Sequence, residues 1–219
     1  MAKTWKTILI YKIMEKEIAR CAKAYMAGKL IDIGCGVKPY EKIIAPYVES
    51  YTGSDRPSPF NPASKVDLVG IADRIPVEDE SFDTAISTAT LEHLSDPEDA
   101  LRECYRVLKK SGYAVYTVPF FWHLHGEPWD YYRFTKYGLR HIFEKVGFEI
   151  VEITPLSGFW TTTITLFCYY IERFNIGPLR YIPIIPAIGI FLQGFAYLFD
   201  KIDNSAEWTW MYLVVAEKK

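Results

Sequence analysis

The sequence predicts an α/β fold in which a mostly parallel sheet is covered by helices on both faces. Short apolar runs alternate with helical patterns from Lys29 to Ile153, and such alternation is typical of parallel sheets. The first run ends at Asp32 and breaks into Gly34-Cys35-Gly36 before a helical pattern begins. Glycine lets the backbone approach a ligand closely, and open α/β sheets bind ligands at the carboxyl ends of strands. The turn therefore predicts a nucleotide-like ligand.

The composition predicts one large domain and gives no reason to expect nucleic acid as a partner. The chain has 219 residues, of which 50% are hydrophobic, so one large domain with a sizeable core is expected. Lys and Arg number 25 against 27 Asp and Glu, which gives no electrostatic reason to expect nucleic acid as a partner. The four cysteines lie far apart, without metal-type spacing. They are expected to be reduced thiols of a cytoplasmic protein.

The elements follow in order along the chain. Apolar residues at helical spacing predict an amphipathic helix from about Trp5 to Tyr25. Pro97 suits a first helical turn with Ser95 or Asp96 as its cap, and Gly112 suits a helix stop. The predicted strands are Lys29–Ile33, Tyr51–Ser54, Val66–Val69, Asp83–Ser87, Tyr113–Val118, Phe148–Ile153 and Thr209–Ala216, and the predicted helices are Lys38–Tyr47, Pro97–Leu108 and Lys136–Val146.

An apolar insertion separates the last two predicted strands. Residues 153–171 and 181–199 each lack charged side chains over 19 residues, and about 20 apolar residues can span a bilayer as a helix. Prolines, glycines and threonines within both runs weaken that interpretation. Three interpretations stay open: helices that cap the ligand pocket, a peripheral membrane contact at the inner face of the membrane, and a homodimer interface.

Four segments carry recognisable motifs: Leu30–Tyr40 with the glycine turn, Tyr51–Asp55 with an acidic strand end, Ile71–Ser87 with "IPVEDESFD", and Thr90–Pro119 with "LEHLSDP". Together they resemble the class I S-adenosylmethionine-dependent methyltransferases of the branch with the LEH/DP motif. The resemblance covers roughly Lys29 to Ile153 and recurs in the final strand. It implies a Rossmann-like three-layer sandwich with a seven-stranded sheet, one strand antiparallel, and S-adenosylmethionine as the cofactor.

The resemblance also implies individual roles. Asp32, Gly34, Cys35 and Gly36 match the motif that lines the methionine part of the cofactor, and Asp55 matches the acid that binds ribose. The turn of Ile71, Ala72 and Asp73 matches the adenine contact, and Thr88 matches the strand end beneath the transferred methyl. The family commonly has an acid where this chain has Ile71, so Asp73 or the backbone is expected to recognise adenine. Glu92 and His93 are interpreted as a structural pair at a helix end.

The segment from Phe120 to Thr135 is rich in polar and aromatic side chains and is the predicted acceptor site. A hydroxyl acceptor needs its proton removed, and histidine suits that task near pH 7, so His123 or His125 is the expected base. The substrate-binding candidates are Glu127, Asp130, Tyr131 and Arg133. Arg133 is equally compatible with a structural ion pair to Asp130.

No metal is expected, since His123, His125 and Glu127 have no fourth ligand apparent beside them. The predicted function is methyl transfer from S-adenosylmethionine to a small-molecule, glycan or lipid-linked hydroxyl. The alternatives are a non-catalytic cofactor-binding scaffold and an NAD-dependent dehydrogenase, the latter disfavoured because Pro39 replaces the third glycine of G-x-G-x-x-G. One domain is expected over 1–219, with an N-terminal helix (1–28), a cofactor-binding core (29–153), the helical insertion (154–207) and a final strand (208–219).

Overall fold

The computed structural model describes residues 4–56, 66–177, 181–203 and 205–219. The chain divides into two compact units. The sheet unit comprises Ile18–Pro119, Leu124–Thr154 and Tyr212–Lys219, and the helical unit comprises Met1–Glu17, Phe120–His123 and Pro155–Met211.

The sheet unit contains the predicted seven-stranded, mostly parallel sheet. The strands are β1 (Lys29–Ile33), β2 (Ser50–Asp55), β3 (Leu68–Val69), β4 (Phe82–Thr88), β5 (Leu108–Pro119), β6 (Phe148–Pro155) and β7 (Met211–Lys218). Their spatial order is β3-β2-β1-β4-β5-β7-β6, and the first five strands of the chain pair in parallel. Because β1 lies between β2 and β4, Asp32 faces a neighbouring strand on each side, with Gly53 and Ile86 in register.

Three helices of the sheet unit follow the predicted order, with two corrections. They are α2 (Glu41–Ile44), α3 (Pro97–Val107) and α4 (Lys136–Val146). The helix predicted from Lys38 begins only at Glu41. Lys38 has a left-handed backbone with φ 53°, so it still belongs to the glycine turn and not to the helix. The predicted stop at Gly112 is wrong: α3 ends at Val107 and β5 begins at the next residue.

Asp96 occupies the predicted N-cap position of α3, yet its side chain caps no helical amide. It accepts a hydrogen bond from the Ser95 hydroxyl at 3.1 Å instead. Pro97 fills the first helical position as predicted, where its missing N–H costs nothing. The helix is therefore held by its buried apolar face rather than by its cap.

The helical unit is built from two apolar helices and the chain's first turns. A 3-10 turn (Trp5–Thr7) leads into α1 (Ile8–Tyr25), which contributes residues to both units. The insertion forms α5 (Phe159–Glu172) and α6 (Ile184–Phe199). Gln193 on α6 accepts from the Leu9 amide at 3.0 Å and donates to the Trp5 carbonyl at 2.8 Å.

Asp200, which follows α6, caps the start of α5. Its carboxylate accepts from the amides of Gly158, Trp160 and Thr161 at 3.0, 2.9 and 3.1 Å. Free amides at a helix start need such an acceptor, and the helix dipole favours a negative charge there. Asp200 thereby ties the end of one helix to the beginning of the other.

The outer face of α6 is apolar and exposed. Its exposed residues recur at helical spacing and include Ile184, Ile188, Phe191, Phe195 and Leu198. Over the ranges that the structure describes, no helix reaches the length and apolar character needed to cross a bilayer.

Candidate active site

The glycine turn between β1 and α2 depends on its glycines for a steric reason. Gly34 and Gly36 have φ angles of 74° and 53°, a conformation that favours glycine. A Cβ at Gly34 would lie 2.4 Å from the Thr90 side chain. The Gly34 amide donates to the Ser54 carbonyl at 2.8 Å, and the Gly36 amide donates to Asp55 Oδ2 at 2.9 Å. The turn is thus closed against the ends of β2 and β4.

Asp32, at the end of β1, is a buried carboxylate with one hydrogen bond. The Tyr51 hydroxyl donates to its Oδ2 at 2.5 Å, whereas Oδ1 has no hydrogen-bond partner among the described residues. Burial raises the pKa of Asp32 to about 7, although the Tyr51 hydrogen bond acts in the opposite direction. A positively charged group beside Oδ1 would restore ionisation. The ammonium of an amino-acid moiety is such a group, so the position fits the cofactor's methionine end.

The residues predicted for ribose and adenine line the neighbouring strand ends. Besides the Gly36 amide, the Asp55 carboxylate accepts from the Arg56 amide at 2.7 Å. Ile71 opens a tight turn whose carbonyl accepts from the Arg74 amide at 2.9 Å, and its side chain is 47% exposed. Ile71 therefore offers an apolar surface, with Ala72 half-buried and Asp73 exposed next to it.

Two further predicted cofactor residues occupy structural positions beside the turn. Thr88 is the last residue of β4 and pairs with Thr117 of β5. Cys35 is buried, and burial raises the pKa of its thiol to about 12. The thiol therefore stays protonated at neutral pH and is no nucleophile.

Beyond β4, three side chains converge into a polar cluster of Glu92, His93 and His125. Glu92 is wholly buried. Its Oε1 lies 3.9 Å from His93 Nε2 and 3.7 Å from His125 Nε2. The two imidazole rings meet edge to face with centroids 4.7 Å apart. Two imidazole rings and a carboxylate therefore lie close together, and such a combination of groups can accept and donate protons.

The outer nitrogens of both histidines have partners of their own. His93 Nδ1 lies 2.7 Å from the Trp129 carbonyl oxygen. His125 Nδ1 lies 3.3 Å from Asp130 Oδ2 and 3.4 Å from Arg133 Nη2. It therefore has both an acceptor and a donor within reach, and either ring tautomer can be held.

Asp130 and Arg133 form the ion pair that was one of the two sequence interpretations. Two bonds of 2.7 and 2.8 Å join the guanidinium to the carboxylate, and they hold the pKa of Asp130 well below its usual range. The nearby Glu92 carboxylate raises the pKa of His125, and Asp130 adds to this effect. His125 is thus favoured in its protonated form relative to a histidine in water.

The segment that carries His125 contacts residues that follow β2 and β4, close to the glycine turn. The amides of Tyr131 and Tyr132 donate to the Glu92 carbonyl at 2.9 and 3.3 Å. The Arg56 guanidinium, one residue beyond Asp55, lies 5.1 Å from the centre of the Trp129 ring. Thr90, two residues before Glu92, contacts Gly34. The polar cluster therefore lies next to the strand ends that are predicted to bind the cofactor.

The remaining predicted acceptor residues are not members of the polar cluster. His123 belongs to the helical unit, where its ring packs against Trp122 and Tyr169 with centroid distances of 5.1 and 4.6 Å. Glu127 is exposed and is not part of the polar cluster. Tyr131 is also exposed, and its backbone rather than its side chain meets Glu92.

The sequence predicts Glu92 and His93 as a structural pair, and it does not predict that they lie beside His125. One signal was available: an acid and a histidine stand between Leu91 and Leu94, immediately after a strand that ends at the ligand-binding edge. Neither His125 nor Asp130 could be connected with them, because the segments lie about 30 residues apart in the sequence.

The seven-stranded sheet and its strand order are those of the Rossmann-like fold found in methyltransferases. The similarities to methyltransferases indicate S-adenosylmethionine as the cofactor. Residues 31–116 match the protein family described as "Methyltransferase domain". Known methyltransferase domains are therefore similar to the part of this chain that contains the glycine turn and the polar residues Glu92 and His93.

Comparison with individual proteins gives the same class. The chain is 30% identical over 98 residues to the chloroplastic 2-methyl-6-phytyl-1,4-hydroquinone methyltransferase 1 of Oryza sativa subsp. japonica, covering 42% of this chain and 29% of that protein. It is 33% identical over 104 residues to the uncharacterized methyltransferase YcgJ of Bacillus subtilis (strain 168), covering 42% of this chain and 41% of that protein. The matches thus span less than half the length of either relative.

Among solved structures, the crystal structure of the [4+2]-cyclase SpnF is similar with a TM-score of 0.63 and 21% identity, covering 94% of this chain and 79% of that one. At this identity the likeness shows the fold alone. Since that protein is named a cyclase, the same fold also carries a different activity.

Proposed function

We propose that this protein transfers a methyl group from S-adenosylmethionine to a hydroxyl of a small or lipid-linked molecule. The observation that supports it best is the polar cluster of Glu92, His93 and His125 next to the cofactor turn. A hydroxyl is a poor nucleophile until its proton is removed, and the cluster supplies a histidine backed by a buried carboxylate.

The cofactor supplies an electrophilic methyl group on a sulfonium sulfur. The protein aligns the acceptor oxygen with that methyl group, and such alignment contributes several kcal/mol. His125 Nε2 takes the hydroxyl proton while the oxygen–carbon bond forms and the carbon–sulfur bond breaks. The bonding electrons stay on sulfur, so the products are a methyl ether, S-adenosylhomocysteine and protonated His125. Glu92 stabilises the imidazolium that results.

His125 is the base in this proposal, and His123 is not. His125 lies 3.7 Å from the Glu92 carboxylate, and Asp130 orients it from the other side. His123 has aromatic partners in the helical unit. His123 therefore serves as the matched control of the same residue type.

The test is a radiolabelled methyl-transfer assay over phenols, prenylated hydroquinones and glycans, with His125→Gln and His123→Gln compared. We expect His125→Gln to lower kcat by about 10²- to 10⁴-fold with S-adenosylmethionine affinity unchanged, and His123→Gln to stay within a few-fold of wild type. Wild-type turnover in His125→Gln would reject His125 as the base.

Two observations favour an apolar acceptor. The outer face of α6 exposes Ile188, Phe191 and Leu198, and the rice relative is named for a hydroquinone with a phytyl chain. An exposed apolar helix face suits contact with a lipid surface. Phe191→Glu should reduce co-sedimentation with lipid vesicles, whereas Phe191→Leu should retain it. Concentration-dependent dimerisation that Phe191→Glu abolishes would point to a homodimer interface instead.

Calorimetry with S-adenosylmethionine, S-adenosylhomocysteine and NAD separates the remaining alternatives. We expect both sulfur compounds to bind and NAD not to bind. Binding of NAD alone would reject the proposal in favour of a dehydrogenase. Cofactor binding without methyl transfer to any acceptor would favour a scaffold or, as in the structural relative named a cyclase, a different reaction.

A further inference from the structure

The buried Glu92 carboxylate has an unusual environment. Glu92 is 0% exposed, and neither of its oxygens has a hydrogen-bond partner among the described residues. The nearest polar atoms are two imidazole nitrogens at 3.7 and 3.9 Å, beyond hydrogen-bond length. Burying a carboxylate that makes no hydrogen bond is costly unless a positive charge lies beside it. A cation held between the carboxylate and the two rings would supply that charge.

We infer that Glu92, His93 and His125 bind a divalent metal ion of the zinc type. One oxygen of Glu92 and one nitrogen of each histidine all lie within 4.8 Å of one another. Zinc binds imidazole nitrogen and carboxylate oxygen at about 2.0–2.2 Å, which places neighbouring ligand atoms about 3.3 Å apart in a tetrahedron. The carboxylate–nitrogen distances of 3.7 and 3.9 Å need to shorten by about 0.5 Å, and the widest separation in the group, up to 4.8 Å, by up to about 1.5 Å.

The outer nitrogens of both histidines have the partners that metal-binding histidines use. A ligating histidine usually donates its other N–H to a backbone carbonyl or a carboxylate, which fixes the tautomer and the ring orientation. His93 Nδ1 has the Trp129 carbonyl at 2.7 Å, and His125 Nδ1 has Asp130 at 3.3 Å. In both rings Nε2 is then left to face Glu92.

The same loop geometry keeps the rings in place. A Cβ at Gly126, between His125 and Glu127, would lie 2.8 Å from His93 Cε1. Gly126 also has φ 64°, which favours glycine. The close approach of this backbone to His93 holds the two histidines against each other.

Three protein ligands leave a fourth position, as in catalytic zinc sites. If the proposed function holds, the acceptor hydroxyl takes that position. Metal-bound oxygen loses its proton far more readily than free oxygen. The role of His125 would then change from base to ligand, and the coordinated hydroxyl would release its proton to solvent water. The metal site itself does not depend on the identity of the acceptor.

The chain offers its own controls, since two of its four histidines lie outside the cluster. After chelator treatment, zinc binding is measured by calorimetry for wild type and for His93→Gln, His125→Gln, His123→Gln and His141→Gln. We expect one zinc per chain, at least tenfold weaker binding in the first two variants, and unchanged binding in the last two. Cobalt added to wild type should give the visible absorption of a four-coordinate site.

Several outcomes would overturn the inference: no zinc binding by the folded wild type, a loss of binding in His123→Gln equal to that in His125→Gln, or cobalt spectra unaffected by Glu92→Gln. Circular dichroism checks that each variant folds. Because Glu92→Gln keeps the shape of the side chain, it provides a second ligand variant if a histidine variant fails to fold.

The two proposals fail separately. Full methyl transfer by chelator-treated protein that binds no zinc would remove the metal site and leave the proposed function. Zinc binding at the cluster without methyl transfer to any hydroxyl would remove the proposed function and leave the metal site.

Discussion

Two buried carboxylates stand at the same edge of the sheet, and their surroundings differ. Asp32, at the end of β1, accepts one hydrogen bond from the neutral Tyr51 hydroxyl, and burial raises its pKa to about 7. Glu92, after β4, has the imidazole nitrogens of His93 and His125 near it, at 3.9 and 3.7 Å. The polar neighbour of the first carboxylate is thus a hydroxyl, and the polar neighbours of the second are two imidazole rings.

Burial alone does not decide the role of a carboxylate in this protein. Both groups are buried, and what differs is the chemistry of their nearest polar neighbours. Asp32 is therefore expected to govern the binding of the cofactor, and Glu92 the chemistry at the acceptor. Four predictions test that division, in order of expected effect.

The largest effect is expected from Glu92→Gln. Without the Glu92 carboxylate, the imidazolium of His125 loses one of its two anionic neighbours and keeps Asp130, so kcat should fall by about 10²-fold or more. Affinity for S-adenosylmethionine should stay within about twofold. Equal losses in kcat and in cofactor affinity would show that the two carboxylates do not have separate roles.

The next effect concerns stability and pH. The folded-state pKa of Asp32 is raised, so its contribution to stability is fully present below the unfolded pKa of about 4 and is lost as pH rises through about 7. Asp32→Asn mimics the protonated form. Thermal or urea unfolding of the apo protein should show similar stability at pH 4 and a more stable variant at pH 8, by about 4 kcal/mol at most. A difference that does not depend on pH would contradict the raised pKa.

A smaller effect is expected on cofactor affinity. Asp32→Asn should weaken S-adenosylmethionine binding by about 10- to 100-fold, because a hydrogen bond to a charged group is worth roughly 1.5–3 kcal/mol. Wild-type binding near pH 6 should also release a proton as Asp32 ionises beside the ammonium. Calorimetry in buffers of different ionisation enthalpy measures that release, and Asp32→Asn is the control that should abolish it.

The smallest effect is expected from Tyr51→Phe, which removes the hydrogen bond from the Tyr51 hydroxyl to Asp32. The pKa of Asp32 should rise further, since that bond favours the ionised form. The pH at which cofactor binding releases its proton should therefore move upward. An unchanged or lower midpoint would mean that the Tyr51 hydrogen bond does not favour the ionised form of Asp32.

Much of the sheet unit is predictable from local pattern. The bounds of β1 and α4 match the prediction because apolar runs, a helix-capping Thr135 and the left-handed Gly147 mark them directly. The end of α3 is not predictable in the same way. Lys109, Lys110 and Gly112 look like a helix stop, yet pairing with β4 draws these residues into β5.

The candidate site was predictable only where one segment contains it. Gly34, Gly36 and Asp55 stood out as candidates because each lies at, or within three residues of, the end of a strand. The meeting of Glu92 with His125 depends on where the loop after β5 returns, and the Tyr131 and Tyr132 amides that fix that return bind a backbone carbonyl. Backbone contacts of this kind leave no signature in side-chain identity, so the two histidines of the loop could not be told apart.

The order of the strands has a consequence for how the protein is made on the ribosome. β7 lies between β5 and β6, although the whole of α5 and α6 precedes it in the chain. Until β7 emerges, β6 has no neighbouring strand to pair with, and β5 has a bare edge. Strands in that state are prone to pair with other chains. The nascent chain therefore passes through a stage of high aggregation risk that ends only when its last strand is inserted.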